Sequence, residues 1–290
     1  MMTKMLCSLL FLAGMLSQWS TGTRAADDPV FEKLTIPPYP YLARLNGTEG
    51  TVGVSLTLDP ECSITNTSVG EGSPRLVDAV ISAVRGDGSL HLRFRPCSYT
   101  HTRAVQLSFV FVLRGQPTNK WSPTHARVSS GHALSFNIEI ATTPADLEAL
   151  GLEKKSGDTQ RTGVEGPVHG DQETFLADFL MPGYPSLART SGVQGEVKVA
   201  VELDSKCQVS TSQILAGHPL LNSTVLEAIQ GWHFTSCAAG GGKVDVVFHF
   251  VLVEPDVPAR DDWAPTHLEM TGPYEFRIKT MVPPDPTIYG

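Results

Sequence analysis

The sequence predicts an α+β protein of two tandem units, each a small antiparallel sheet with helices packed on one face and an extra C-terminal strand or hairpin. Three observations predict it. The chain repeats itself at a fixed offset, both copies contain runs that alternate apolar and polar residues, and both contain an amphipathic run opened by a proline.

The repeat is read by self-comparison. Tyr39-Pro40-x-Leu42-Ala43-Arg44 returns 145 residues later as Tyr184-Pro185-x-Leu187-Ala188-Arg189. Gly47, Gly50, Val52, Val54, Leu58, Asp59 and Cys62 return as Gly192, Gly195, Val197, Val199, Leu203, Asp204 and Cys207. After about five extra residues near Asp87 to His91 the offset becomes 140, so that Phe94 and Cys97 answer to Phe234 and Cys237. The tails agree as well, Trp121-x-Pro-Thr-His125 with Trp263-x-Pro-Thr-His267.

Within one unit, Pro37-Pro38-Tyr39-Pro40 forces an extended lead-in, and Tyr41 to Leu45 make a short helix that Gly47 stops. Val52, Val54, Leu56 and Leu58 alternate as a half-buried strand, Asp59-Pro60-Glu61 turns, and Cys62 to Val69 return as a second strand. Apolar residues at 76, 77, 80, 81 and 84 define a helix behind Pro74. Val105 to Leu113 alternate again, as do Val244 to Leu252 in the second copy. Final alternating runs end both units, at Leu134 to Ile140 and Tyr274 to Ile278.

The organisation expected is a leader at 1–26, a first unit at 31–141, a linker at 142–175 and a second unit at 176–283. Lys4, the uncharged run Met5 to Leu16 and the small residues before Asp27 read as a secretory signal peptide. The uncharged stretch from Met5 to Thr23 leaves an uncleaved anchor as the alternative, and only then is membrane contact expected. Apart from a short helix at Ala145 to Leu150, the linker is rich in glycine and charge and reads as flexible.

Composition excludes several functions. With 22 basic against 30 acidic side chains, a net charge of -8 and no basic cluster beyond Lys154-Lys155, a nucleic-acid partner is not expected. Losing Lys4 and Arg24 with the leader leaves 20 basic against 30 acidic residues, a charge of -10. No His-Glu-x-x-His, phosphate loop or Gly-x-Ser-x-Gly occurs, so neither catalysis, metal, cofactor nor a small-molecule substrate is expected. Of the five cysteines, Cys7 lies in the leader. The other four allow three pairings, and the repeat selects Cys62 with Cys97 and Cys207 with Cys237, one bridge per unit.

The ordered set Tyr-Pro-x-x-Ala-Arg, Gly-x-Val-x-Val, acidic turn, helix ending in Gly, Trp232-His233-Phe234 and Phe-rich strand, occurring twice, resembles the C-terminal domain of TonB. The resemblance implies a periplasmic domain that binds outer-membrane receptors or other envelope proteins by pairing a sheet edge with an extended segment. It places Tyr39-Pro40 and Tyr184-Pro185 at the receptor-contacting position. A packed, rigid lead-in turn is the competing role for these pairs.

The sequence also departs from that family. Met5 to Thr23 has no histidine, and the ten residues from Asp27 to Ile36 span only about 35 Å, too short for a periplasm-crossing arm. Leu92 stands in place of the first tryptophan and Ser236 in place of a proline. Each unit adds a tail able to pair with and cover the binding edge, which would block strand addition. The expectation is therefore a periplasmic binding module, with a structural envelope protein or an anchored energy transducer as alternatives.

Overall fold

The structure, a computed structural model, describes residues 29–86, 89–114, 124–131, 134–142, 174–235, 241–254 and 266–283. The leader, nearly all of the linker, Trp121, Trp263 and Cys237 lie outside the described residues.

The first half contributes β1 (Phe31–Ile36), α1 (Tyr41–Leu45), β2 (Gly50–Leu58), β3 (Ile64–Val69), α2 (Pro74–Val84), β4 (Leu92–Phe94), β5 (Arg103–Leu113), β6 (Thr124–Ser130) and β7 (Ser135–Thr142). The second repeats the order as β8 (Phe175–Met181), α3 (Ser186–Thr190), β9 (Gly195–Leu203), β10 (Val209–Ala216), α4 (Pro219–Ile229), β11 (His233–Thr235), β12 (Gly242–Val253), β13 (His267–Gly272) and β14 (Glu275–Met281). Alternation places Val52, Val54, Leu56 and Leu58 inward on β2, and Val105, Leu107, Phe109 and Phe111 inward on β5, all at most 1% exposed.

Two seven-stranded sheets result. The first runs β3-β2-β5-β7-β6-β8-β11 and the second β10-β9-β12-β14-β13-β1-β4. Each sheet therefore takes five strands from one half and two from the other. β1 pairs with β13 through Leu34 and Met270, and β8 pairs with β6 through Phe179 and Val128.

This overturns the α+β expectation. Strands dominate the described residues, and both sheets are mixed because β7 runs parallel to β5 and β14 parallel to β12. Alternation along a strand fixes which face is buried but not which strand lies alongside. It could not show that β1 and β4 cross into the other half's sheet, nor that the tails would pair in parallel. The helices are minor elements: α1 and α3 have five residues each, and α2 and α4 wedge between the sheets, touching β2, β3 and β1, and β9, β10 and β8 respectively.

Buried side chains from both sheets form one core. Phe31 of β1 stacks on Phe94 at 4.8 Å and meets Phe136, from the opposite sheet, at 4.6 Å. In the second half Trp232 does this work, 5.2 Å from Phe276 and 6.2 Å from Phe179, with its indole N–H donating to Leu180 O at 3.0 Å. At the corresponding place the first half has Leu92, and the Phe31–Phe94–Phe136 cluster fills the space.

The disulfide reinforces the crossing. Cys62 lies in the β2–β3 turn of the first sheet and Cys97 three residues beyond β4 of the second, so their bond, Cα to Cα 5.4 Å, ties β4 to its own half. Cys207 is likewise disulfide-bonded. With a sequence separation of 35, replacing Cys62 and Cys97 by serine should cost about 3–4 kcal/mol, read as a lower denaturation midpoint in urea.

His125 at the start of β6 is fully buried, and its Nδ1 accepts the Gly183 N–H at 2.9 Å. Its Nε2 is buried without a partner among the described residues. Burial pulls its pKa from 6.5 to about 4. The folded state therefore refuses a proton that the unfolded chain accepts, so the stability present above pH 6.5 falls as pH drops towards 4. Urea melts should show a loss of up to about 1.4 kcal/mol per pH unit across that window, and His125→Gln should flatten the slope.

Candidate functional site

The two Tyr-Pro lead-ins have nearly superimposable local geometry. Pro40 and Pro185 both hold φ -64° and ψ 134° as helix N-caps, and their carbonyls accept the N–H of Arg44 and Arg189 at 2.9 Å. Proline suits this position because its fixed φ is already extended and its missing N–H would have no helical partner. Each helix ends at a glycine in the left-handed region, Gly47 at φ 65° and Gly192 at 68°, where a side chain would be strained.

The tyrosine rings turn inward. Tyr39 is 2% exposed and Tyr184 0%. Each meets a β5 or β12 phenylalanine edge-on, Phe111 or Phe250, with centroids 5.4 Å apart. The hydroxyls donate to the loop beyond the helix, Tyr39 to Thr48 O at 2.7 Å and Tyr184 to Val193 O at 2.6 Å. Burial raises the Tyr184 pKa to about 12. Burial, with the Glu49 carboxylate adding to it, pushes Tyr39 up as well. Pro40 and Pro185 remain half-buried.

The motif arginine is buried too. Arg189, 1% exposed, donates from Nε to Met281 O at 2.8 Å, the last residue of β14. Tyrosine and arginine thus clamp the helix between the Phe-rich strand and the tail strand beside it.

The same tails decide which sheet edges remain. β5 has β2 on one side and β7 on the other, and β12 has β9 and β14. The terminal strands are β3, β10, β4 and β11, and the last two have three residues each. On β3 the Arg85 guanidinium, just past α2, donates to Thr67 O at 2.9 Å. Position 230 of the second half, which answers to Arg85, is glutamine, and its side chain makes no hydrogen bond among the described residues. β10 has eight residues, none charged, with register shifts against β9 on either side of Thr211 to Ile214 and with Leu215 55% exposed.

The acidic turns position the cysteines. Asp59 Oδ1 accepts the N–H groups of Glu61 and Ser63, and Asp204 Oδ1 those of Lys206 and Gln208. These bonds support the positive φ of Cys62 and Cys207, 66° and 61°. The N–H donated by Gln208 is the main cause holding the Asp204 carboxyl below its usual range.

A cleft of about 250 Å³ lies over β6, β8 and β11, between Arg127, Asp178, Leu180 and His233. Asp178 Oδ1 accepts from Ser130 N at 2.7 Å and Ser130 Oγ at 3.1 Å, and the His233 ring stands 3.8 Å from its other oxygen. That carboxylate is engaged in tying β8 to β6 where their ladder ends. Among the described residues no group of three or more His, Cys, Asp or Glu is placed to hold a metal ion, and no helix is long and apolar enough to cross a membrane.

A duplicated β-rich unit, introduced twice by a packed Tyr-Pro pair, defines a tandem small-domain protein. The chain belongs to the family described as Gram-negative bacterial TonB protein C-terminal, which matches residues 35–113 and 181–252, just over half of it. It is similar to Protein TonB of Vibrio cholerae serotype O1 (strain ATCC 39315 / El Tor Inaba N16961), 28% identical over 88 residues. That match covers 30% of this chain and 36% of that protein, so the chain spans about a third of its relative's length.

Because the tyrosines are built into the fold, substitutions there change stability. Tyr39→Phe and Tyr184→Phe should each cost about 1 kcal/mol for the lost hydrogen bond. Alanine at either position should cost about 3–5 kcal/mol for the emptied space. Thermal melts of the four variants check both magnitudes.

Proposed function

We propose that this is a non-catalytic cell-envelope protein, exported to the periplasm, that recognises an extended segment of an outer-membrane receptor or another envelope protein by strand addition. The family supports the mode, and the observation that carries it to a seat on this chain is the free side of β10. A peptide beside Thr211 to Ile214 would take up main-chain groups that no neighbouring strand uses, with Leu215 offering an apolar contact at one end. On this reading Tyr39-Pro40 and Tyr184-Pro185 have only main chain and proline rings to offer a partner, since the tyrosine rings face the core.

A second reading, a structural envelope protein without a peptide partner, draws support from β7 and β14, which occupy the sides of β5 and β12 that face away from β2 and β9. One experiment separates the two. Gln230→Arg gives the second half the arginine that sits on the β3 edge of the first. In pull-downs from outer-membrane extract, the variant should recover a receptor at least about tenfold less than the wild-type protein. If the wild type recovers no receptor, the structural reading stands.

A further inference from the structure

The two seams at which the halves cross carry exchanged charges. In the first sheet β6 receives β8, with Arg127 opposite Leu180 and diagonal to Asp178. In the second, β13 receives β1 in the equivalent register, with Glu269 opposite Thr35 and diagonal to Lys33. Val128 with Phe179, and Met270 with Leu34, are the buried rungs beside them, so the four charged residues stand on the outer faces. Diagonal neighbours on one face are about 7–8 Å apart, within reach of long side chains. Arg127 on the receiving strand thus becomes Glu269, and Asp178 on the incoming strand becomes Lys33.

The other charges at these seams come with their own half. Behind Arg127 lies Glu139 of β7, which pairs with Arg114 at 2.7 Å. Behind Glu269 lie Arg277 and Lys279 of β14, at 3.8 and 3.3 Å. On the incoming side Asp178 faces His233 of β11, and Lys33 faces Arg93 of β4, whose guanidinium is 2.8 Å from Glu32. Main chain and aromatic rings do not tell the halves apart as partners. The two registers are equivalent, Phe31, Phe94 and Phe136 all belong to the first half, and Trp232, Phe179 and Phe276 all belong to the second. By its backbone, β6 could therefore accept the β1–β4 pair of another copy of the chain, two first halves closing about a true two-fold axis. Charge opposes this. Arg127 would then meet Lys33, and in the corresponding pair of second halves Glu269 would meet Asp178.

We propose that the exchanged charges at the two seams select pairing between the unlike halves of the chain, Arg127 with Asp178 and Glu269 with Lys33, over pairing between like halves of two copies. The selection works by repulsion as much as by attraction: each like-half pairing sets two equal charges diagonal to one another at both of its seams, by symmetry. The chain thereby closes on itself instead of linking to its neighbours through strands that are interchangeable in backbone.

The test is the mass of the full-length protein after refolding from urea without reductant, read by light scattering behind size exclusion. Lys33→Glu with Asp178→Lys reverses both incoming charges and leaves Arg127, Glu269 and the rungs behind them intact. Unlike halves then repel and like halves attract, so species larger than the wild type's should become at least about tenfold more abundant, and about 1 M sodium chloride should suppress them. Asp178→Ala loses the bonds to Ser130 without reversing a charge, and its mass distribution should match the wild type's. Should the reversed variant not refold, alanine at Lys33, at Glu269 and at both decides by urea midpoints, with the double variant expected to lose less than the sum of the singles. A folded reversed variant with the wild-type mass distribution, larger species that appear equally with Asp178→Ala, or additive alanine effects would each overturn the proposal.

Discussion

The reciprocal crossing of β1 and β4 into one sheet, and of β8 and β11 into the other, is the constraint on which the rest of the architecture depends. Neither half completes a sheet alone. The aromatic clusters sit where the crossing brings the sheets together: Phe31 and Phe94 against Phe136, and Phe179 against Trp232 and Phe276. The Cys62–Cys97 bond sits at the same seam and joins a turn of one sheet to the segment beyond the crossed strand of the other. Two tandem units thus share one core.

The tails also close the Phe-rich strands to any further pairing. β5 and β12 are interior strands once β7 and β14 lie beside them, and peeling those tails away from the sheets would bring Ile138, Ile140, Phe276 and Ile278, each at most 1% exposed, into water. The sheet edges are the terminal strands at the rims. There the halves have diverged: Arg85 reaches the β3 edge, and its counterpart Gln230 makes no such bond. A similar divergence affects His125, whose donor Gly183 answers to Pro38 in the other half, a residue with no N–H to offer His267.

What the sequence disclosed was local. The pairs α1 and α3, and α2 and α4, follow from proline before and glycine after a short apolar run, and β2, β5, β9 and β12 from strict alternation. β1 was not visible, since Phe31-Glu-Lys-Leu-Thr-Ile has no period of two, and β6 is a mostly polar run in which Ala126 and Val128 are the buried apolar residues. Both are pairing partners across the crossing, so the topology was hidden where the alternation was weakest. At the candidate site, the Tyr-Pro motif was legible as a motif, but its inward rings follow from Phe111 and Phe250, about 70 residues away and signalled by no local pattern. The Arg85–Gln230 difference stood in the repeat alignment and acquires meaning only beside the β3 edge.

The pairing of β1 with β13 sets an order of assembly. A ribosome delivers Phe31–Ile36 first, and the partner strand His267–Gly272 follows about 230 residues later. Until then Leu34 and Ile36, both 1% exposed in the finished protein, have only the three-residue β4 beside them and no sheet to join. The β2–β3 hairpin and α2 have local partners and can form in the meantime. The nascent chain therefore carries an apolar strand short of its partner while the intervening residues are made, and whatever accompanies it in that interval must shield the segment.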